Sequence, residues 1–214
     1  MEPTVSRSAR LFIASFCAIA MSSAALAQGP LDWPGAGSAD DWSAACRLNE
    51  QANDALKDEF DIATMKPNSQ VVNKAIGLFQ KAINKYPYET AFYNGLGKCY
   101  LDLGDDKKAE AMYRKSVEVK EKYKGPQNKI RYGETYLALA KLCDKHNEIH
   151  GADVNYKKAC ELWGMADCYK EYAAFLKKQK RLKESAAMLK KVDDMQKEYD
   201  KRPKTPDAWR PPSR

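Results

Sequence analysis

Tyr93-Asn94-Gly95-Leu96-Gly97-Lys98-Cys99-Tyr100 is the stretch whose reading decides the fold. Small residues between aromatic ends suit a helix that another helix must approach closely, with large side chains filling the holes beside it. Gly104-Asp105 breaks that helix, and Ala109, Tyr113 and Ser116 then mark one face of a second. An earlier second helix, with Ala75, Phe79, Ala82 and Pro87, places Ala75 34 residues before Ala109. The pattern returns as Tyr136, Leu139, Ala140 and Cys143, then Ala152, Tyr156 and Ala159, displaced by 43 because residues 120–131 are inserted. It returns again as Tyr169, Tyr172, Ala173 and Leu176, then Ser185, Leu189 and Val192, displaced by 33. A period of this length describes helical hairpins that bury their apolar faces only by stacking on one another.

These residues resemble the tetratricopeptide repeat, with Tyr93 where that family has Trp, followed by its Leu-Gly, its Tyr and its small-aromatic-small second helix. The resemblance implies an all-α fold, a short right-handed superhelical solenoid of antiparallel helix pairs. About four units fit, at residues 40–88, 89–124, 132–165 and 166–199. The first lacks the Leu-Gly signature. Its leading helix is expected over about 40–65, capped by Asp40 or Asp41, with Trp42, Ala45, Leu48 and Leu56 on the apolar side. Further breaks are expected at Pro87, Gly125-Pro126, Gly151 and Gly164, and no strand is expected.

The ends have their own character. Arg7 and Arg10, the apolar run from Leu11 to Ala20, and Ala25-Leu26-Ala27 follow the order of a secretory signal peptide over residues 1–27, cut at about Ala27-Gln28. A periplasmic or secreted protein is therefore expected. Residues 28–39 read as an extended leader with Trp33, and residues 200–214 as a basic tail with Pro203, Pro206, Pro211, Pro212 and Trp209. The whole chain carries a net charge of +7, and residues 1–27 hold two basic groups and one acid. The stretch from Gln28 to Met65 is net −6, which leaves +12 on the rest. A basic body in the cytosol would suggest nucleic acid; export argues against that and favours an acidic partner or the acidic leading segment itself.

In the tetratricopeptide family the first helix of each unit lines the concave face. Projected onto this chain, the lining positions include Asn94, Lys98, Leu101, Lys141, Lys145, Lys170, Lys177 and Lys178, with Asp102 and Asp144 among them. Read functionally, they form a lysine-rich groove for a partner protein or an acidic extended peptide, with Asn94 bonding the peptide backbone. Read blandly, they are the solvated face of any helix.

Five cysteines lie beyond residue 27: Cys46, Cys99, Cys143, Cys160 and Cys168. Export makes pairing the first question. The segment from Lys157 to Tyr169 resembles the cysteine-rich subset of Sel1-like repeats, which implies a Cys160–Cys168 disulfide between neighbouring hairpins. A Cys46–Cys99 bridge would staple the irregular first unit to the array, and Cys143 reads as a small buried hydrophobe.

His146 and His150, the only histidines, read as turn residues because a third strong metal ligand is missing from the pattern. The sequence has no Gly-rich phosphate loop, haem motif or nucleophile elbow. The reading is a scaffold with no cofactor, no metal and no catalysis. The competing readings are a Sel1-like envelope hydrolase and a factor binding cell wall or another anionic surface.

Overall fold

The structure is a computed structural model that describes residues 38–58, 60–61, 66–122 and 129–201. The expected signal peptide, most of the leader and almost all of the tail fall outside the described residues. The described residues form eight helices in order: α1 (Ala39–Asp58), α2 (Ser69–Lys85), α3 (Thr90–Asp102), α4 (Asp106–Lys122), α5 (Lys129–Lys145), α6 (Ile149–Trp163), α7 (Ala166–Lys178) and α8 (Leu182–Asp200). They pair as α1 with α2, α3 with α4, α5 with α6, and α7 with α8, and each pair stacks on the next through α2–α3, α4–α5 and α6–α7. The result is the expected all-helical solenoid of antiparallel pairs. No helix among the described residues is long and apolar enough to cross a membrane.

Three features of the first pair differ from expectation. Ser38 caps α1 in place of the aspartates: its hydroxyl accepts from the Asp41 amide at 3.1 Å and donates to the Asp41 carboxylate at 2.9 Å, a reciprocal box across three residues. The helix stops at Asp58, short of residue 65. Beyond it, Phe60–Asp61 (β1) runs antiparallel to Lys66–Pro67 (β2), with Phe60 opposite Pro67, where no strand was expected. Proline fixes an extended-compatible φ and Asn68 then restarts the helix, its side chain accepting from the Gln70 amide at 2.9 Å.

The hairpin turns of the other three pairs are copies of one another. Gly104, Asn147 and Lys180 stand at the same repeat position and adopt left-handed backbone, with φ of 79°, 62° and 60°. In each turn the next residue donates back five positions, Asp105 to Tyr100 at 2.8 Å, Glu148 to Cys143 at 2.7 Å and Arg181 to Leu176 at 2.9 Å. This helix-ending motif satisfies carbonyls that the helix leaves open. It also corrects the break expected at Gly151, which lies inside α6; the turn is made at Asn147.

Packing explains the signature glycines. A Cβ at Gly95 would lie 2.4 Å from the Phe79 ring of the preceding pair, and one at Gly97 would lie 2.8 Å from the Tyr113 ring of its own pair. Each glycine gives up side-chain surface so that an aromatic ring can reach the helix backbone. Between the last two pairs, Tyr156 stacks on Tyr172 at 5.5 Å and meets Phe175 at 5.2 Å. The buried hydroxyls on second helices are satisfied, Ser116 by the Thr90 carbonyl at 3.3 Å and Ser185 by the Ala173 carbonyl at 2.8 Å.

Candidate binding groove

An open groove of about 500 Å³ runs between α3 and α5. Its apolar floor comes from Leu101, Leu137, Ala138, Leu142 and Trp163, and its charged rim from Lys98, Lys141, Lys145, Asp106 and Glu134. Four of the residues expected on the concave face are therefore brought together: Lys98, Leu101, Lys141 and Lys145. Asn94, Lys170, Lys177 and Lys178 are not among the lining residues.

The lysines are not a bare positive strip. Lys145 pairs with Asp106, Lys141 with Glu171 at 2.6 Å, Lys178 with Asp144 at 2.7 Å and Lys170 with Asp167 at 3.6 Å. The first three join different helices, so they tie neighbouring first helices and the α4 start into one ladder along the inner face. Lys177 is exposed in the last turn of α7. Exposed pairs of this kind are each worth only about 0–1 kcal/mol. They nevertheless neutralise the field that the sequence alone suggested, because three rim lysines face two rim carboxylates. Hydrogen bonding from Lys145, with the charges of Lys145 and His146 adding to it, holds the Asp106 carboxyl below its ordinary value.

Asn94 takes part in a bond within the solenoid. Its side-chain carbonyl accepts from the Thr135 hydroxyl at 2.9 Å, across 41 residues, and so locks α3 to α5 at the groove wall. Thr135 is 1% exposed, which makes this a bond inside the solenoid. One unit further on, the position of Asn94 is held by Leu137, an apolar lining residue that the lysine pattern drew attention away from. Trp163 was missed for a different reason. It ends a second helix, and only the approach of its Cβ to Gly133, 2.2 Å from where a Gly133 Cβ would lie, shows that it closes against α5.

Cys160 and Cys168 stand with sulfurs 3.1 Å apart across the α6–α7 turn, both buried. The shared hydrogen bond pushes the Cys168 thiol up, with burial adding to it, and draws the Cys160 thiol down against the opposing effect of burial. Cys46 packs with Ala45, Ala82, Tyr86 and Phe92, whereas Cys99 packs with Ala52, Val72, Ala75, Phe79 and Leu96, so the structure puts these two thiols in different clusters. Burial pushes the Cys99 thiol up to about 12. Cys143 is buried beside Gly151 and accepts from the Asn155 amide at 3.7 Å. His146 lies 3.5 Å from Asp106 and 4.0 Å from Glu110, and His150 is exposed in the first turn of α6.

Stacked helix pairs, a shared left-handed turn and a groove lined mainly by first helices define a tetratricopeptide-like helical-repeat solenoid. Residues 88–163 match the model of the tetratricopeptide repeat family, and this span holds the second and third pairs. Among solved structures, the chain is similar to the MamA protein, at 15% identity over 80% of this chain and 82% of that one, with a TM-score of 0.56. It is also similar to BtubC (BKLC) from P. vanneervenii, at 14% identity over 79% of each chain and a TM-score of 0.54. The first tetratricopeptide domain of Spaghetti (RPAP3), whose structure has it bound to the HSP90 peptide SRMEEVD, is similar at 16% identity over 64% of this chain and 94% of that one, with a TM-score of 0.50. At these identities the likeness is one of fold. No curated protein sequence is significantly similar to the chain.

Proposed function

We propose that this protein is an exported scaffold, periplasmic or secreted, that holds a partner protein by an extended peptide laid along the α3–α5 groove. The observation that carries the reading is the groove itself: an apolar floor of Leu101, Leu137 and Trp163 beneath a rim of mixed charge. Such a rim suits a peptide with one apolar anchor side chain and flanking polar or acidic residues, with the rim setting orientation and the floor supplying affinity. A related fold gripping a peptide that contains two glutamates, as in the Spaghetti complex, supports this chemistry. Export rests on the sequence of residues 1–27.

The hydrolase reading needs a carboxyl held in its acid form near neutral pH. Among the described residues, the carboxyls displaced from their ordinary values, at Asp105, Asp106, Asp153 and Glu184, are displaced downward, which favours the scaffold. Oxidation in an exported compartment would join Cys160 and Cys168: the two thiols give up two protons and two electrons to a disulfide oxidant, and one S–S bond forms. Closing so short a loop adds about 2–3 kcal/mol.

The test is capture of envelope partners by the chain lacking residues 1–27, compared with Leu101→Glu and with the triple variant Lys98→Glu, Lys141→Glu, Lys170→Glu. Recovery should fall by about tenfold or more for Leu101→Glu and less for the triple variant. Equal recovery by all three removes the groove reading. Finding the intact chain with residues 1–27 uncut in the cytosol overturns export, and five free thiols on the exported chain overturn the disulfide.

A further inference from the structure

The groove between α3 and α5 differs in kind from one end to the other. The α5 residues that line it, Glu134, Leu137, Ala138, Lys141, Leu142 and Lys145, form one stripe of that helix at spacings of three and four. A helix rises about 1.5 Å per residue, so Glu134 stands about 10 Å from the level of Lys141 and about 16 Å from that of Lys145. Charge is divided along the stripe. Towards the Lys145 end, Lys98, Lys141 and Lys145 outnumber Asp106 among the lining residues. At the opposite end the charged lining residue is Glu134. The second pair has Lys98 at the repeat position of Lys141 but Ala91 at that of Glu134, so α3 reinforces the basic end and leaves the acidic end to α5.

An aromatic side chain joins Glu134 there. Trp163 packs on Gly133, the residue before Glu134, and lines the groove with it. A carboxylate beside an indole, at the edge of an apolar floor, suits a guanidinium, whose N–H groups donate to the carboxylate while its plane rests on aromatic surface. The basic end takes the opposite charge. Its rungs, Lys141 to Glu171 at 2.6 Å and Lys145 to Asp106, leave both lysines exposed, and each rung is worth only about 0–1 kcal/mol, so carboxylates of a peptide can share these lysines at little cost. We propose that the Glu134–Trp163 end of the groove is a subsite for an arginine side chain, and that the peptide held there carries an arginine, an apolar anchor and acids in that order along the groove. The assignment rests on the groove reading above and narrows the partner to a segment of divided charge rather than a uniformly acidic one. An extended peptide advances about 3.3 Å per residue, which puts the arginine and the first acid about three residues apart with the anchor between them.

Fluorescence anisotropy with an end-blocked, dye-labelled peptide containing Arg-Ser-Leu-Glu-Ser-Glu, titrated with protein expressed from the full chain, tests this directly. Two further peptides replace the arginine by citrulline, its neutral isostere, or by glutamate. The arginine peptide should bind about fivefold more tightly than the citrulline peptide and about tenfold or more above the glutamate peptide. Glu134→Gln keeps the side chain's shape and should bring the arginine peptide to the citrulline value, while the citrulline peptide binds as before. If none of the three peptides binds at about 1 mM protein, the groove reading itself is removed and the subsite with it. Binding that ignores the change from arginine to citrulline, a glutamate peptide that binds best, or an arginine preference that persists in Glu134→Gln would each overturn the subsite and leave the groove standing. The three peptides on wild-type protein decide the matter even if Glu134→Gln proves unstable.

Discussion

The junction between the second and third pairs and the junction between the third and fourth are built from the same repeat and hold together differently. At the first, α5 meets α3 through the Asn94–Thr135 hydrogen bond and α4 through the Asp106–Lys145 pair, and a groove stays open between α3 and α5. At the second, Tyr156, Tyr172 and Phe175 stack in one cluster, two thiols touch, and Asp153 on α6 ties down its neighbours. Tyr172 donates to Asp153 at 2.9 Å, Arg181 at 2.6 Å and Lys157 at 2.7 Å. Both junctions also have an apolar core, which at the first is Tyr113 with Leu139 and Leu142; they differ in that polar contacts flank an open groove at the first, whereas stacked rings and two thiols fill the second.

If that contrast is right, Phe175→Ala, at 2% exposure in the stack, should cost about 3–4 kcal/mol in urea unfolding, with the loss spread over the third and fourth pairs. A loss below about 1 kcal/mol would mean the stack is not what closes the second junction. Asp153→Asn should cost about 1–2 kcal/mol near neutral pH, because three donors lose a charged acceptor. Burial raises the Asp153 pKa, but hydrogen bonds from Lys157, Tyr172 and Arg181 outweigh it and hold the carboxyl below its ordinary value. Its contribution is therefore present above the ordinary carboxylate range and disappears as pH falls through the lowered folded value. Stability curves of wild type and Asp153→Asn should converge in strong acid; curves that stay parallel would refute the linkage.

At the open junction the expected effect is smaller. Thr135→Val keeps the shape and removes the donor to Asn94, and should cost about 1 kcal/mol while changing peptide capture more than Asp153→Asn does. The smallest effect has the opposite sign. Lys180 takes a left-handed turn that Gly104 makes without a Cβ, so Lys180→Gly should stabilise the last pair by about 0.5–1 kcal/mol in thermal unfolding. A loss there would show that the shared turn is not strained at Lys180.

Much of the fold was legible because the repeat writes itself in side-chain size. Gly95 and Gly97 had to be small for the reason the structure gives, contact with Phe79 and Tyr113, and the 34-, 43- and 33-residue displacements carried the same logic forward. The turn at Asn147 was legible in principle, since it lies 43 residues after Gly104, but Gly151 drew the eye because glycine is the commoner helix breaker. The β1–β2 pair was not legible, since two residues on each side give no periodicity to read. The groove was half legible. Helix phase placed Lys98, Leu101, Lys141 and Lys145 on one face, yet phase within one helix says nothing of which acids stand opposite on another. That is why a lysine strip became a row of ion pairs, and why the Asn94–Thr135 bond at the groove wall could not be read from the sequence.

Those ion pairs carry one more consequence. Lys145 to Asp106, Lys141 to Glu171 and Lys178 to Asp144 lie along the inner edge of a coil, where the turns come closest when it tightens and separate when it relaxes. Each rung is too weak to decide whether the chain folds, and exposed rungs of this kind are the contacts that dissolved ions screen most. Rising salt in the surrounding medium should therefore loosen the spacing of α5 against α4 and α7 before it touches the helices themselves.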